Sequence, residues 1–346
     1  MQTSYISTQS LWNAPRTSVN RMQAEAAKAT QEVATGRYAD VGLTLGQRTS
    51  VSLGLRQQQA QLEGLIQDNA LTTLRLDQTQ TTLKQIQADA DSTLKTLLAA
   101  PVGQQLSSIA TIAGSRLAAL TTALNGSSNG QYLFAGTNVG QAPLTAYAGM
   151  PASPARTAVD QAFADAFGGI ALDAITPEQM TDFLADGGGL ASLFDAAGWA
   201  GTWSSASGDA LTSRIAPEET ATTSVSANAE PVRKLAMAYV LAAGIGATGL
   251  SAETQDVVAK KVQSLLDGAS RGLVALQADI GTVQARIKDA NTRMDTQTSL
   301  IETRIGDLES VDPAEAKTRY DSLETQIKMS YSLTSQLRQL SIINYL

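Results

Sequence analysis

An apolar heptad repeat in the last third of the chain places the strongest limit on what this sequence can fold into. A second apolar row lies between the members of the first, and the residues around both rows are mostly polar or charged. Rows spaced in this way form the a and d positions of a coiled-coil-like helix. The rows are Leu266, Leu273, Ile280, Ile287, Met294, Ile301 and Leu308, and Val262, Ala269, Leu276, Val283 and Ala290. They predict one helix from Ala252 to Leu308, about 85 Å long.

A matching repeat in the N-terminal half predicts a partner helix. Its rows are Leu55, Leu62, Leu76, Leu83, Ala90 and Leu97, and Leu65, Thr79 and Ile86. Asn69 interrupts the repeat, and a polar residue at such a position can set the register of two helices at some cost in stability. Pro101 and Gly103 should end this helix. A further helix is expected from about Gln104 to Leu124.

Shorter apolar rows predict helices at both ends of the chain. Gly36 should end the first helix, and Asp312 should cap the second at Pro313. Isolated helices of this kind are marginal in water, so we expect them to gain order by packing with copies of the same chain. The apolar tail from Leu340 to Leu346 also needs a partner. The predicted assembly interface is Val19, Met22, Val33, Leu323, Ile327, Leu337, Leu340, Ile343 and Tyr345.

The middle of the chain differs from both helical halves. It holds all but one of the phenylalanines, a short helix is expected from Pro177 to Ala185, and short strands are expected between Trp203 and Ser226. The predicted fold class is therefore mainly α, with long paired N- and C-terminal helices in a coiled-coil-like bundle and a small α+β central insert. The predicted domains are 1–40 with 310–346, 41–145 with 226–309, and the insert 146–225.

The composition excludes several kinds of chemistry. The chain has no cysteine and no histidine, which excludes disulfides, thiolate or imidazole catalysis and the usual zinc sites. The net charge is -7 without a basic patch, so we expect neither nucleic-acid binding nor attraction to an anionic membrane. Residues 1–12 lack the pattern of a secretory signal. We therefore predict a protein that is not an enzyme and has no cofactor and no metal.

Two alternatives remain open. Gly244 to Gly249 match the G-x-G-x-x-G fingerprint of nucleotide-dependent enzymes, but residues 230–243 before them have a helical pattern where that fingerprint needs a strand. A loop between helices is the preferred interpretation. The second alternative is a cell-surface binding module in which the insert recognises a ligand. Trp12 and Trp203 are more typical of packing anchors than of ligand platforms.

Three stretches of the sequence resemble bacterial flagellins and their hook-associated relatives. The start Thr3-Ser4-Tyr5-Ile6-Ser7 and the later Ala34-Thr35-Gly36-Arg37 are similar to the family's N-terminus. The stretch from Gly130 to Thr137 (GQYLFAGT) resembles the hook-associated members, and the ending QLSIINYL resembles that of the hook-associated protein 3 branch. Residues 38–43 depart from the common pattern of filament flagellins. The resemblance covers roughly residues 1–145 and 225–346.

The resemblance implies a flagellin-like fold and a structural role in the extracellular bacterial flagellum. The implied place is the hook–filament junction, and a filament subunit is the alternative. Residues 1–36 and 314–346 would line the inner tube, and the insert would face outward. The implied partners are further copies of the chain in a ring, hook-associated protein 1, flagellin and a chaperone of the type III export route. No nucleic acid and no membrane are implied.

Overall fold

The computed structural model describes residues 8–245 and 249–343, which are mainly helical, as predicted. The helices are α1 (Thr8–Thr35), α2 (Val41–Leu45), α3 (Thr49–Ala99), α4 (Gln105–Leu124), α5 (Pro154–Phe167), α6 (Pro177–Leu184), α7 (Ala196–Thr202), α8 (Glu230–Val240), α9 (Ala252–Glu309) and α10 (Pro313–Ile343). The strands are β1 (Ser127–Ser128), β2 (Gln131–Tyr132), β3 (Thr212–Ala216) and β4 (Glu219–Thr222). Both strand pairs, β1–β2 and β3–β4, are antiparallel.

The chain divides into two compact units. The first unit contains residues 1–64 and 294–346, and the second contains residues 65–293. Helices α3 and α9 each contribute residues to both units. The three-domain division expected from the sequence (1–40 with 310–346, 41–145 with 226–309, and 146–225) stays a prediction.

The heptad rows of α3 and α9 form the core of the second unit. The buried members include Leu76, Leu83, Ile86, Ala90, Leu97, Val262, Leu266, Ala269, Leu273, Ile280 and Ile287. Asn69, the polar interruption, is 1% exposed. Its side-chain amide donates to the carbonyl of Ile215 over 2.8 Å and to Oδ1 of Asn291 over 2.6 Å. A buried amide that bonds only in one alignment favours that register of the two antiparallel helices.

Helix α8 lies against α9 because Gly272 of α9 leaves room for Pro231, whereas a Cβ at Gly268 would make only an ordinary contact. The Cβ of an alanine at position 272 would lie 2.4 Å from Cγ of Pro231, and one at position 268 would lie 3.8 Å from the Lys234 side chain. From Val232 to Val240, every residue of α8 except Arg233 and Lys234 is buried. The close approach therefore allows a short, largely apolar helix to fill the core of the second unit.

We expect Gly272→Ala to lower the free energy of unfolding of the second unit by about 2 kcal/mol, because the proline ring cannot yield to the added methyl group. Gly281→Ala is the matched control, since nothing lies within 4 Å of a Cβ at that position of the same helix. Alanine should stabilise the helix there by about 0.5–1 kcal/mol. Urea unfolding measures both variants. Equal effects at the two positions would show that the contact with Pro231 does not matter.

The residues of the GQYLFAGT stretch have a structural role in packing. Leu133 and Phe134 are buried, and a Cβ at Gly136, whose φ is +62°, would lie 2.6 Å from the carbonyl oxygen of Asp209. Arg75 of α3 donates to the carbonyl oxygen of Tyr132 over 3.0 Å. The stretch therefore fixes the β1–β2 hairpin to α3 and to the segment before β3.

The predicted helix and strands of the insert are present. Helix α6 begins with a capping box formed by Thr176 and Gln179, and β3 and β4 form a hairpin. Trp203 is buried and stacks on Trp199 at 5.0 Å and on Tyr147 at 5.1 Å between ring centroids. Trp203 is therefore a packing anchor, as its sequence context indicates, and Trp12 lies where no side chain is described.

Candidate assembly surface and the joint behind it

Helices α1 and α10 pack against each other within the first unit. They run antiparallel, as the side-chain contacts Gln23–Tyr331 at 3.0 Å and Glu32–Arg319 at 3.0 Å show. The side chains of Val19, Ala26, Ala29 and Ala316 are buried in this unit. Part of the apolar row that the sequence assigned to contacts with other copies is thus covered within a single chain.

The predicted assembly residues fall into three groups. Val19 is buried, and Met22, Leu323 and Ile327 are half-buried. Val33 is 39% exposed. The others are Leu337, Leu340 and Ile343, whose side chains are not described although α10 includes them, and Tyr345, which lies outside the described residues. Their role in assembly stays a prediction.

In the single chain, Val33 does not continue the buried row of α1. The next buried residue of α1 after Ala29 is Glu32, whose exposed fraction is 6%. The Glu32 carboxylate accepts hydrogen bonds from Arg319 and, over 3.2 Å, from the backbone N–H of Ala39. A buried carboxylate needs such partners. Apolar periodicity alone could not find this position, because the residue that fills it is charged.

The C-terminal half of α10 carries exposed apolar side chains on more than one face. Met329 and Leu333 are one turn apart on one face, and Tyr331 points to another; their exposed fractions are 54%, 59% and 55%. No charged residue occurs from Met329 to Leu337. The half-buried Leu323 and Ile327 add a further apolar row. A helix that is apolar on several faces is typical of one surrounded by neighbours.

A joint of two short segments, residues 36–40 and 309–312, connects the end of α1 to the start of α10. The N–H of Tyr38 donates to the carbonyl oxygen of Glu309, and the N–H of Val311 donates to that of Gly36, both over 3.0 Å. Gly36 has a φ of +67°, which a residue with a side chain adopts only with strain. Asp312 caps α10 through the N–H of Ala314 at 2.8 Å, as predicted. The joint therefore fixes the direction in which the chain continues from α9 into α10.

The carboxylate of Glu309 lies at the centre of the joint. Its side chain is 1% exposed, and it accepts hydrogen bonds from Arg37, Arg56 and the hydroxyl of Ser52. The hydrogen bonds from Arg56, together with that from Ser52 and the charge of Arg37, outweigh the effect of burial. They lower the pKa of Glu309 from 4.5 to about 2. Sequence reasoning missed this cluster, whose members come from three distant segments.

We expect acid to weaken the first unit through Glu309. Because the folded pKa is lower than the unfolded one, the unfolded chain binds the proton more readily. The contribution is complete above about pH 5 and is lost as the pH falls toward 2. The difference between 4.5 and about 2 corresponds to about 3 kcal/mol.

The measurement is urea unfolding of the wild type and of Glu309→Gln at a series of pH values. The gap between the two free energies of unfolding should shrink by about 3 kcal/mol between pH 6 and pH 2. Subtraction removes the titration of the other carboxylates. A gap that does not depend on pH would contradict the role assigned to Glu309.

The described residues offer little support for the enzymatic alternative. Gly244 lies in a π-helical turn, Leu241–Ile245, that continues the helix α8, so no strand precedes the G-x-G-x-x-G motif. Residues 246–248 of that motif lie outside the described part. Among the side chains that are described, no three potential ligands gather to hold a metal ion. None of the described helices has an apolar segment long enough to cross a membrane.

Two family models match the sequence. The model of the bacterial flagellin N-terminal helical region matches residues 6–139. The model of the bacterial flagellin C-terminal helical region matches residues 264–346. The N-terminal match contains α1 and residues 36–40 of the joint, and the C-terminal match contains residues 309–312 of the joint and α10. A comparison with curated proteins found no match.

Proposed function

Since this chain belongs to the bacterial flagellin family and is therefore a structural component of the extracellular flagellum, we propose that it is the junction subunit that links the hook to the filament. The family implies self-assembly into flagellar polymers. The observation that carries the proposal is the C-terminal half of α10. Its exposed apolar side chains Met329 and Leu333 need neighbours that one chain does not supply.

The assembly mechanism follows from this surface. The helices α1 and α10 would act as one element, since they are joined by the contacts Gln23–Tyr331 and Glu32–Arg319. Copies of that element would bury the exposed faces of α10 against one another, which removes apolar surface from water. Head-to-tail contacts of this kind close into a ring or continue as a helix, depending on the rotation between neighbours.

The junction role rests on two resemblances, the GQYLFAGT stretch and the QLSIINYL ending. In this role a ring of copies contacts hook-associated protein 1 on one side and flagellin on the other. The proposal includes export by the flagellar type III route with a chaperone. A filament subunit is the second candidate, because the two matched regions are those of flagellin itself.

A deletion strain separates the two candidates. Without a junction subunit, cells should release flagellin into the medium and carry hooks without filaments, and the gene supplied on a plasmid should restore the filaments. Without a filament subunit, the medium should lack the major filament protein. Attached filaments on deleted cells would contradict both roles. As an independent check, the polymers that the purified chain forms alone should stop at rings and not grow into long filaments if it is a junction subunit.

A further inference from the structure

A cavity of about 380 Å³ lies in the second unit between α4, the start of α5 and the turn after α8. This volume falls within the range of about 300–1,000 Å³ that is typical of small-molecule sites. One wall is apolar and comes from α4, and a few polar groups converge from the other sides. They include Tyr147, Arg156, Asp160 and the backbone at Gly244. Neither the helical assembly nor the joint uses these residues.

Tyr147 gives the cavity a rigid aromatic wall. One face of its ring stacks on Trp203 at 5.1 Å with an interplanar angle of 6°, and Trp203 stacks in turn on Trp199. The opposite face of Tyr147 is not used by this stack. The hydroxyl of Ser153 also donates to the carbonyl oxygen of Tyr147 over 3.0 Å. A ring backed in this way loses little conformational entropy when a ligand packs on it.

The polar groups of the cavity can both donate and accept hydrogen bonds. Nε of Arg156 and Oδ2 of Asp160 lie 3.7 Å apart, which is an ion pair without a hydrogen bond, so both groups keep hydrogen-bonding capacity for a ligand. Thr122 donates to the carbonyl oxygen of Ala118 and keeps its lone pairs for a ligand.

The charges of the cavity disfavour a phosphate. Asp160 offsets Arg156, and Gly244 follows the C-terminal end of α8, where the helix dipole carries partial negative charge. Phosphates bind instead at helix N-termini. A neutral ring with several hydroxyl groups fits both the flat aromatic wall and the mixed donors and acceptors.

We propose that this cavity binds one pyranose ring of a neutral saccharide, packed on Tyr147 and hydrogen-bonded to Arg156 and Asp160. The inference does not depend on whether the chain is a junction or a filament subunit. It gives a place to the alternative in which the region around the insert recognises a ligand. It also leaves Trp203, which supports Tyr147 from behind, out of direct contact with the saccharide.

Saturation-transfer NMR of the full chain with the methyl glycosides of glucose, galactose and mannose tests the proposal. At least one should receive saturation from the protein, whereas adenosine monophosphate should not. Binding should persist in Tyr147→Phe and weaken at least about tenfold in Tyr147→Ala and Asp160→Ala, which lose the aromatic wall and a hydrogen-bond acceptor. Asp160→Ala guards against misfolding, because the side chain is exposed.

Asp186→Ala is the matched control, because Asp186 is another exposed aspartate of the second unit and does not line this cavity. It should bind the glycosides like the wild type. Three results would overturn the proposal: no transfer to any of the glycosides, transfer that is equal in wild type and Asp160→Ala, or transfer to adenosine monophosphate alone.

Discussion

Replacing Glu309 by alanine should lower the free energy of unfolding of the first unit by about 3 kcal/mol. The change removes the shared acceptor of Arg37, Arg56 and Ser52 and leaves two like charges close together. Removing one member of a buried ion pair costs about 3–5 kcal/mol in general. The lower end of this energy range applies here, because the side chains of Arg37 and Arg56 are about half exposed and water can solvate them.

Glu302→Ala is the matched control for this prediction. Glu302 also lies on α9 where that helix contacts α3. Its carboxylate is exposed, however, and accepts one hydrogen bond, from Gln59 of α3 at 3.1 Å. Its loss should change stability by less than about 0.5 kcal/mol. Hydrogen exchange resolved by mass spectrometry can follow the amides of α1 and α10. Faster exchange in both helices is expected for Glu309→Ala alone, and unchanged exchange would show that the joint does not hold them.

The long helices could be predicted from the sequence because their signal is local and periodic. The rows of α3 and α9 repeat every seven residues, and Asp312 and Pro313 mark the start of α10 as capping chemistry requires. The same reasoning located Asn69 as a buried polar interruption. Each of these features depends on neighbours within a few turns of one helix.

The joint and the cavity could not be predicted in this way. Glu309 meets Ser52 and Arg37 across 257 and 272 residues of sequence. A charged residue at such a position is indistinguishable from a solvated surface charge until the fold brings its partners together. The burial of Glu32 has the same origin, since its carboxylate finds its partners, Arg319 and the backbone N–H of Ala39, only in the folded unit.

Leu333→Asp should abolish polymerisation while leaving the isolated chain as stable as the wild type. In the single chain Leu333 is 59% exposed, so a carboxylate there stays in water and changes stability by less than about 0.5 kcal/mol. In a polymer the same position would be covered by a neighbouring copy, and an unpaired carboxylate would have to lose its water. Sedimentation after seeding with preformed assemblies measures polymerisation, and thermal unfolding followed by circular dichroism measures stability.

Two further variants decide where the assembly surface lies. Ser322→Asp adds the same charge to an exposed polar position of α10 and should polymerise normally. Ile327→Asp places the charge at a half-buried position, so it should impair the pairing of α1 with α10 in the single chain as well as polymerisation. If Leu333→Asp polymerised like the wild type while Ile327→Asp did not, the exposed face of α10 would not be a contact between copies. Assembly would then depend on α1 and α10 pairing between chains, as the sequence periodicity alone suggests.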